Sequence, residues 1–298
     1  TCTVQANYDY DSEEDALRKL RVSLRLAPLT AALFANSPWY EGKPYGGLSY
    51  RARVWLDVDN DRSGLVPAVW KATAGFRDYV EWALDVPMFM FKRDGQKHAN
   101  TGQTFRAFWQ EGFHGLRPTQ GDWQTHLNTL FPEVRLKRTI EVRGADAQGA
   151  PLAAALPALY TGLLYDAAAL AAAEELTASF TVEEVAALRP AVAELGLRAT
   201  FRGKPLRALA EQVYGIAEAG LARRDRRDAA GRDERVHLAR LGELIAAGKT
   251  PADVLLAGMA PPASPEFRAE VVARATMPTR PSAAKVKAAG TVRGGEKQ

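Results

Sequence analysis

A run of alternating charged and apolar residues near the middle of the chain constrains the fold most. It reads LFPEVRLKRTIEVRGAD and ends at Asp146. Successive side chains of a β-strand point to opposite faces, so one strand over residues 135–146 would be charged on one face and mainly apolar on the other. The charged face would carry Arg135, Lys137, Thr139, Glu141 and Arg143. The pattern therefore predicts a sheet with only one buried side.

This charged face is typical either of a solvated outer strand or of a site for a metal ion and phosphates. Glu141 offers a hard oxygen ligand, and the flanking Arg135, Lys137 and Arg143 can neutralise phosphate. The strand alone leaves both interpretations open.

The first residues of the chain, TCTVQANYDY, alternate in the same way. One face would carry Gln5 and Asn7 together with Thr1, Thr3 and Asp9. Short polar side chains without Lys or Glu are unusual on a solvent-facing surface, where long charged residues predominate. We therefore interpret this segment as a second strand of the same site, with an exposed amphipathic strand as the alternative.

Two further segments define the first half of the chain. Ser12 is a candidate N-cap for a helix with acidic residues in its first turn, where the helix dipole favours negative charge. Residues 50–56 predict a short strand with Arg51, Arg53 and Trp55 on one face. That pair of arginines indicates either a solvated edge or the recognition of a carboxylate by planar guanidinium groups.

The character of the sequence changes after Asp146. Residues 151–260 are rich in alanine and show helical periodicity, and Thr250 followed by Pro251 is a strong helix start signal. We predict an α+β chain in which residues 1–150 form a sheet with flanking helices and residues 151–276 form a helical part of the same catalytic unit. Residues 277–298 are expected to be a disordered basic tail.

The net charge of +4 does not indicate a nucleic-acid partner. The predicted tail, residues 277–298, contains five basic residues and one acidic residue, so the remaining chain is neutral overall. A single cysteine, Cys2, excludes an internal disulfide and fits a reducing compartment. We find neither a signal peptide nor an apolar run of about 18 residues, and we expect a cytoplasmic protein without a membrane partner.

Several long segments resemble the glutamate-cysteine ligases of plants and proteobacteria, which belong to the glutamine synthetase-like carboxylate-amine ligases. The resemblance covers residues 1–260 and is most specific in two runs, LFANSPWYEGKP and FPEVRLKRTIEVRGAD. It implies an antiparallel active-site sheet and ATP-dependent joining of the γ-carboxylate of glutamate to the amine of cysteine, through γ-glutamyl phosphate. ATP and Mg²⁺ are the implied cofactors.

The resemblance also implies roles for individual residues. Glu141 matches a metal-binding carboxylate, and Gln5 and Asn7 occupy the positions of two histidines in the wider superfamily. The implied metal ligands are Glu141 and Gln5, the implied phosphate contacts are Asn7, Lys137 and Arg135, and the implied catalytic residues are Arg143 and Arg135. The implied substrate contacts are Thr3, Arg51, Trp55, Phe89 and Tyr160.

Two departures from the family pattern qualify this assignment. Phe89 stands where plant members carry a tyrosine, which leaves the amine acceptor open, so a ligase for another acceptor is an alternative. A glutamate-bearing strand of the G-x-E-x-E type, expected before the first strand, does not occur in residues 1–298. We therefore expect an N-terminally truncated sequence, for which a non-catalytic substrate-binding fragment is a further alternative. The sequence leaves the oligomeric state open.

Overall fold

The computed structural model describes residues 2–150, 152–262 and 264–276. The chain divides into two compact units, Thr1–Ala257 and Gly258–Gln298. The predicted domain scheme placed residues up to 276 in one catalytic unit, whereas this division falls after Ala257. The predicted disordered tail, residues 277–298, lies outside the described residues, as does Thr1.

Short strands and many helices make up the described part of the chain, in agreement with the predicted α+β class. The strands are β1 (Thr3–Tyr8), β2 (Trp39–Tyr40), β3 (Lys43–Pro44), β4 (Ser63–Gly64), β5 (Met90–Arg93), β6 (Gln96–Ala99), β7 (Phe131–Pro132), β8 (Val134–Leu136), β9 (Ile140–Asp146), β10 (Thr200–Phe201) and β11 (Lys204–Pro205). The α-helices are α1 (Glu13–Arg25), α2 (Ala27–Leu33), α3 (Tyr50–Asp57), α4 (Phe76–Asp85), α5 (Phe105–Glu111), α6 (Gln120–Asn128), α7 (Leu152–Leu164), α8 (Ala167–Thr177), α9 (Val182–Leu195), α10 (Leu206–Arg224), α11 (Ala239–Ala246), α12 (Pro251–Leu256) and α13 (Pro265–Ala275).

The largest sheet has three antiparallel strands in the order β1, β9, β8. The prediction of one continuous strand over residues 135–146 is wrong, because residues 137–139 form a turn closed by a 3.0 Å hydrogen bond from Lys137 N–H to the carbonyl of Thr139. The resulting hairpin pairs Arg135 with Glu141 and Leu136 with Ile140. Directly paired residues share a face of an antiparallel sheet, so the predicted separation into charged and apolar faces survives.

The apolar face of this sheet lies in the hydrophobic core. Val134, Ile140, Val142 and Tyr8 are all buried there, together with apolar residues of α1 and α7. The predicted N-cap of α1 is confirmed, since Ser12 Oγ accepts a hydrogen bond from the backbone N–H of Asp15. The core therefore fixes one face of the sheet, and the charged residues lie on the opposite face.

The predicted strand over residues 50–56 is wrong, because these residues form helix α3. Ser49 caps the helix by accepting a 3.0 Å hydrogen bond from the N–H of Ala52. In a helix, residues four positions apart share a face, so Arg51 and Trp55 still lie side by side whereas Arg53 points elsewhere. Their guanidinium carbon and ring centroid are 6.0 Å apart.

Helices α7 and α10 pack at very short range in the second half of the unit. A Cβ atom placed on Gly162 would lie 2.2 Å from the carbonyl oxygen of Ala217, and one on Gly220 would lie 2.0 Å from the carbonyl oxygen of Gly162. These two glycines therefore determine how closely the helices approach. Within the described ranges no single helix is long and apolar enough to cross a bilayer, and α7 and α8, which reach that length together, meet at 92°.

Candidate active site

The charged face of the three-stranded sheet brings together residues from β1, β8 and β9. Glu141 pairs with Asn7 on one side and with Arg135 on the other, so these three side chains form a row across the sheet. Arg143 lies two residues beyond Glu141 on the same face. Four of the residues predicted from the sequence are therefore neighbours.

Arg135 and Glu141 form an ion pair in this row. The Nε and Nη2 atoms of Arg135 each lie 2.7 Å from Oε2 of Glu141. Nη1 of Arg135 donates to the carbonyl of Leu130 at 3.1 Å. Both side chains are only 12% exposed, so the pair is held rigidly. The other carboxylate oxygen of Glu141, Oε1, takes no part in this pair.

The turn between β8 and β9 adds two polar groups to the face. Lys137 Nζ donates to Asn128 Oδ1 at 2.7 Å, and Thr139 Oγ1 donates to Asn7 Oδ1 at 3.0 Å. Partial burial lowers the pKa of Lys137, and the positive charges of Arg135 and Arg143 lower it further. Concentrated positive charge of this kind is suited to binding a phosphate.

Arg143 is half-buried and retains a free donor. Its Nη1 atom is shielded from solvent and makes no hydrogen bond to any residue in the described ranges. Burial lowers the pKa of Arg143, and so do the nearby Arg135 and Arg51, while the guanidinium carbon lies 5.7 Å from the ring of Phe131. A buried donor without an acceptor costs free energy, and an anionic ligand would relieve that cost.

Arg51 is used differently from the prediction. Its Nη2 and Nη1 atoms donate to the main-chain carbonyls of Arg143 at 2.7 Å and Gly144 at 3.1 Å. The residue is only 7% exposed, and burial lowers its pKa. The guanidinium therefore supports the backbone of β9 beneath Arg143, and Trp55 packs beside it.

The remaining predicted substrate contacts do not join this group. Tyr160 is fully buried and its hydroxyl lies 2.7 Å from that of Thr30, so the structure gives a substrate no access to it. Thr3 donates to the carbonyl of Ala145 at 2.5 Å. Phe89 is 46% exposed and stacks 5.1 Å from the guanidinium of Arg62.

The fit of a magnesium ion to this face is incomplete. Gln5 is exposed at a β-bulge between Val4 and Ala6, on the same strand as Asn7. In the part of the chain that the structure describes, no group of three or more His, Cys, Asp or Glu residues could hold a metal ion. Mg²⁺ needs near-octahedral oxygen ligands, and Glu141 is a single carboxylate already paired with Arg135. These residues can contribute ligands but do not complete a metal site.

A cavity of about 640 Å³ beside Lys137 was missed by the sequence analysis. Its walls come from four separate segments of the chain: Tyr10, helix α4, helix α6, and residues 136–139 at the end of β8 and in the turn that follows. The hydroxyl of Tyr10 donates to the carbonyl of Lys137 at 2.7 Å and so ties the cavity to the charged face. No local motif unites these segments, which is why the sequence pattern gave no sign of them.

Comparison with known proteins identifies similar sequences. The family model described as glutamate-cysteine ligase family 2 matches residues 1–276. The chloroplastic glutamate-cysteine ligase of Brassica juncea is 46% identical over 259 residues, which cover 86% of this chain and 49% of that protein. The chloroplastic glutamate-cysteine ligase B of Oryza sativa subsp. japonica is 44% identical over 259 residues, covering 86% of this chain and 51% of that protein.

The chain spans about half the length of the curated relatives it matches. Their names also bear on the expected location. We expected a cytoplasmic protein from the single cysteine and from the lack of a recognisable signal. That expectation is contradicted, since the similar proteins from Brassica juncea, Oryza sativa and Arabidopsis thaliana are all named chloroplastic.

Proposed function

Because this chain belongs to glutamate-cysteine ligase family 2, we propose that it forms part of an ATP-dependent ligase that joins glutamate to cysteine. The product would be γ-glutamylcysteine, as made in the first step of glutathione biosynthesis. The observation that carries the proposal is the charged face on which Arg135, Lys137 and Arg143 surround one carboxylate, Glu141.

The chemistry has two steps. The γ-carboxylate of glutamate attacks the γ-phosphorus of ATP, the bond from that phosphorus to the ADP oxygen breaks, and γ-glutamyl phosphate forms. The amine of cysteine then attacks the acyl carbon, phosphate leaves, and the nitrogen loses a proton as the amide forms. Both steps move negative charge on phosphate oxygens, so positioned cations lower the barrier.

The residues of the charged face would hold those oxygens. Arg143 would donate from Nη1, which has no hydrogen-bond partner among the described residues, to the transferring phosphoryl group. Lys137 lies at the turn, where its side chain would contact the phosphates of ATP. Asn7 lies opposite Glu141. Arg135 holds Glu141 in place and adds positive charge. Bound Mg²⁺ would shield the triphosphate, with Glu141 and Gln5 contributing ligands.

The substrate contacts proposed from the family resemblance have different support. Arg51 and Trp55 lie together directly behind β9, so their proposed effect on glutamate binding would act through Arg143. Thr3 and Phe89 remain candidates for the amino-acid substrates. Tyr160, which is fully buried, would influence the site only through packing.

The proposal is tested by turnover of the full-length protein that carries this sequence. Phosphate release should require ATP, Mg²⁺, glutamate and cysteine together, and mass spectrometry should detect γ-glutamylcysteine. Serine, alanine and 2-aminobutyrate serve as competing acceptors. A higher kcat/KM for one of these acceptors than for cysteine would replace cysteine as the substrate, and nucleotide binding without phosphate release would contradict the ligase assignment.

A further inference from the structure

Two arginines on helix α1 lie side by side without a counter-ion. Arg21 and Arg25 are four residues apart, so their side chains share a face of the helix. Neither forms an ion pair with an acid in the described ranges. The adjacent Arg18 differs, because its Nε and Nη2 atoms donate to Oε2 of Glu174 at 2.9 and 2.6 Å. Glu174 is thus already paired and acts on Arg21 and Arg25 only from a distance.

Arg21 is poorly hydrogen-bonded for a residue that is only 8% exposed. Its Nη1 atom lies 3.5 Å from the carbonyl oxygen of Lys71, which is at the outer limit of a hydrogen bond. Arg62, which is also 8% exposed, donates to Asp59 Oδ2 at 2.8 Å and to the carbonyl of Met88 at 3.0 Å. Burial of the Arg21 guanidinium is therefore not offset as it is for Arg62.

Arg25 is half-buried and has a buried donor with no acceptor. Its Nη2 atom donates to the carbonyl of Trp70 at 3.3 Å, and its guanidinium carbon lies 5.7 Å from the ring of Trp70. Its Nε atom is shielded from solvent and meets no acceptor in the part of the chain that the structure describes. Burial lowers the pKa of Arg25, and the charge of Arg21 lowers it further.

These two charges cannot be removed by loss of a proton, because a guanidinium stays protonated in proteins. Burying unpaired like charges side by side costs free energy. An anion that contacts both groups would offset that cost and would give Nε of Arg25 an acceptor. The pair therefore has the character of an anion site.

The shape of the pair indicates the class of anion. A carboxylate has two oxygens in one plane, which a single guanidinium can bind with its two parallel donors. Two guanidinium groups on successive turns of a helix match an anion whose oxygens point in several directions, as those of phosphate do. Because Arg21 exposes little surface, the ligand must be small.

We propose that Arg21 and Arg25 bind a small tetrahedral oxyanion, inorganic phosphate, on the face of α1 next to Trp70. Helix α1 packs through Leu17 and Leu20 against the apolar face of the three-stranded sheet. The charged residues that include Glu141 lie on the opposite face of that sheet. The phosphate site is thus separated from the candidate active site, and the inference does not rest on the proposed function.

Binding of inorganic phosphate to the full-length protein that carries this sequence tests the proposal. Calorimetry measures the Kd, and thermal melting compares sodium phosphate with sodium chloride at the same ionic strength. Chloride is needed because salt screens the repulsion between the two arginines without occupying a phosphate site. The melting temperature of the wild type should rise further in phosphate than in chloride, because a ligand of the folded state stabilises it.

Arg25→Gln removes one of the two cations at a half-buried position. It should raise the Kd of phosphate about tenfold or more, since a charged donor is lost, and it should abolish the additional rise in melting temperature. Arg207→Gln is the matched control, because Arg207 is 44% exposed and pairs with Glu211 on helix α10. Its Kd and its melting response should equal those of the wild type.

Arg143→Gln distinguishes this site from the charged face of the sheet. Phosphate binding that is weakened by Arg25→Gln should persist in Arg143→Gln. The inference is overturned if Arg143→Gln abolishes phosphate binding and Arg25→Gln leaves it unchanged. It is also overturned if the wild type binds no phosphate and Arg25→Gln lowers the melting temperature equally in both salts, since a carboxylate elsewhere in the full-length protein would then be the counter-ion. Ligase turnover is measured separately, so its absence would remove the proposed function alone.

Discussion

Arg135 and Glu141 face each other across the hairpin of β8 and β9, with Nε and Nη2 of the arginine each 2.7 Å from the same carboxylate oxygen. Glu141 lies at the centre of the charged face, which also carries Lys137 and Arg143. Its charge is paired with Arg135 and also favours the charged forms of Lys137 and Arg143. Both the stability of the hairpin and the proposed chemistry depend on this carboxylate.

Glu141→Gln keeps the shape of the side chain and removes its charge. Arg135 would then be largely buried without a counter-ion, and we expect the free energy of unfolding to fall by about 1.5–3 kcal/mol. In the full-length protein, loss of a metal-binding charge should lower turnover on the order of 100-fold, a barrier change of about 2.7 kcal/mol. Urea denaturation and phosphate release measure the two effects, and near-normal turnover would contradict the proposed role.

Glu174→Gln provides the control for this substitution. Glu174 pairs with Arg18 between α8 and α1 at 2.6 Å and is 28% exposed, so it lies in an ion pair away from the charged face. A loss of stability of up to about 1 kcal/mol is expected, with turnover retained. If both variants lose turnover in proportion to their stability, Glu141 has only a structural role.

The division of the central segment into two faces could be predicted from the sequence, although its shape could not. One long strand and a hairpin with a three-residue turn place each of these residues on the same face of the sheet, so the alternation fits both. Only the pairing of Leu136 with Ile140 distinguishes the two, and that pairing depends on how the apolar face packs against α1 and α7. The turn over residues 137–139 contains no glycine or proline, the residues that usually indicate a turn in a sequence.

Arg51 shows the opposite case, in which the residue was identified but its environment was not. RARVWL alternates as a strand would, yet the Ser49 cap and contacts with the rest of the unit make it a helix. The sequence pattern could not show that the guanidinium would donate its hydrogen bonds to main-chain carbonyls, because that depends on the position of β9. The aromatic cavity was missed for the same reason.

Arg51→Lys tests this structural role. An ammonium group cannot reproduce the forked donation to the carbonyls of Arg143 and Gly144, so at least one buried acceptor loses a charged donor. We expect the free energy of unfolding to fall by about 1.5–3 kcal/mol. Arg53→Lys is the matched control, because its partner Asp57 lies in the same helix and both are well exposed; a change below about 0.5 kcal/mol is expected there.

Chemical denaturation of the two lysine variants tests whether the carbonyl contacts of Arg51 stabilise the fold. Equal stability of Arg51→Lys and Arg53→Lys would show that the carbonyl contacts contribute little. A normal stability for Arg51→Lys together with a raised KM for glutamate would instead favour direct binding of the substrate carboxylate, as the family resemblance first implied.

The close packing of α7 and α10 predicts a strong effect of a single methyl group. Gly162→Ala would place Cβ 2.2 Å from the carbonyl oxygen of Ala217, so the helices must separate. We expect destabilisation of about 1–3 kcal/mol or more. Gly215→Ala, on α10 with nothing within 4 Å, should instead stabilise by about 0.5–1 kcal/mol through higher helix propensity. Thermal melting of both variants measures this, and equal melting temperatures would contradict the close approach.

Asp146 links the end of β9 to the start of α3. Its Oδ2 accepts from Asn36 N–H and Ser37 Oγ, both at 2.7 Å, and its Oδ1 accepts from Ser49 Oγ at 2.8 Å. Asp146→Asn would replace one of these accepting oxygens with an NH2 group. We expect the free energy of unfolding to fall by about 1–3 kcal/mol. Burial raises the pKa of Asp146 above its ordinary 3.8, although the hydrogen bonds from Asn36, Ser37 and Ser49 act against that change.

The direction of this shift predicts how the cost of Asp146→Asn varies with pH. A carboxyl group with a raised pKa in the folded state releases its proton first in the unfolded chain. Its contribution to wild-type stability is therefore present below pH 3.8 and is lost as pH rises through the folded-state pKa. The stability deficit of Asp146→Asn should shrink over that interval.

Asp166→Asn should show the opposite trend, because the hydrogen bond from Arg223 lowers the pKa of Asp166. Urea denaturation at several pH values from about 2 to 7 measures both variants, because the change for Asp166 lies below its ordinary pKa and the change for Asp146 lies above it. A deficit of Asp146→Asn that grows with pH would show that its hydrogen bonds outweigh burial.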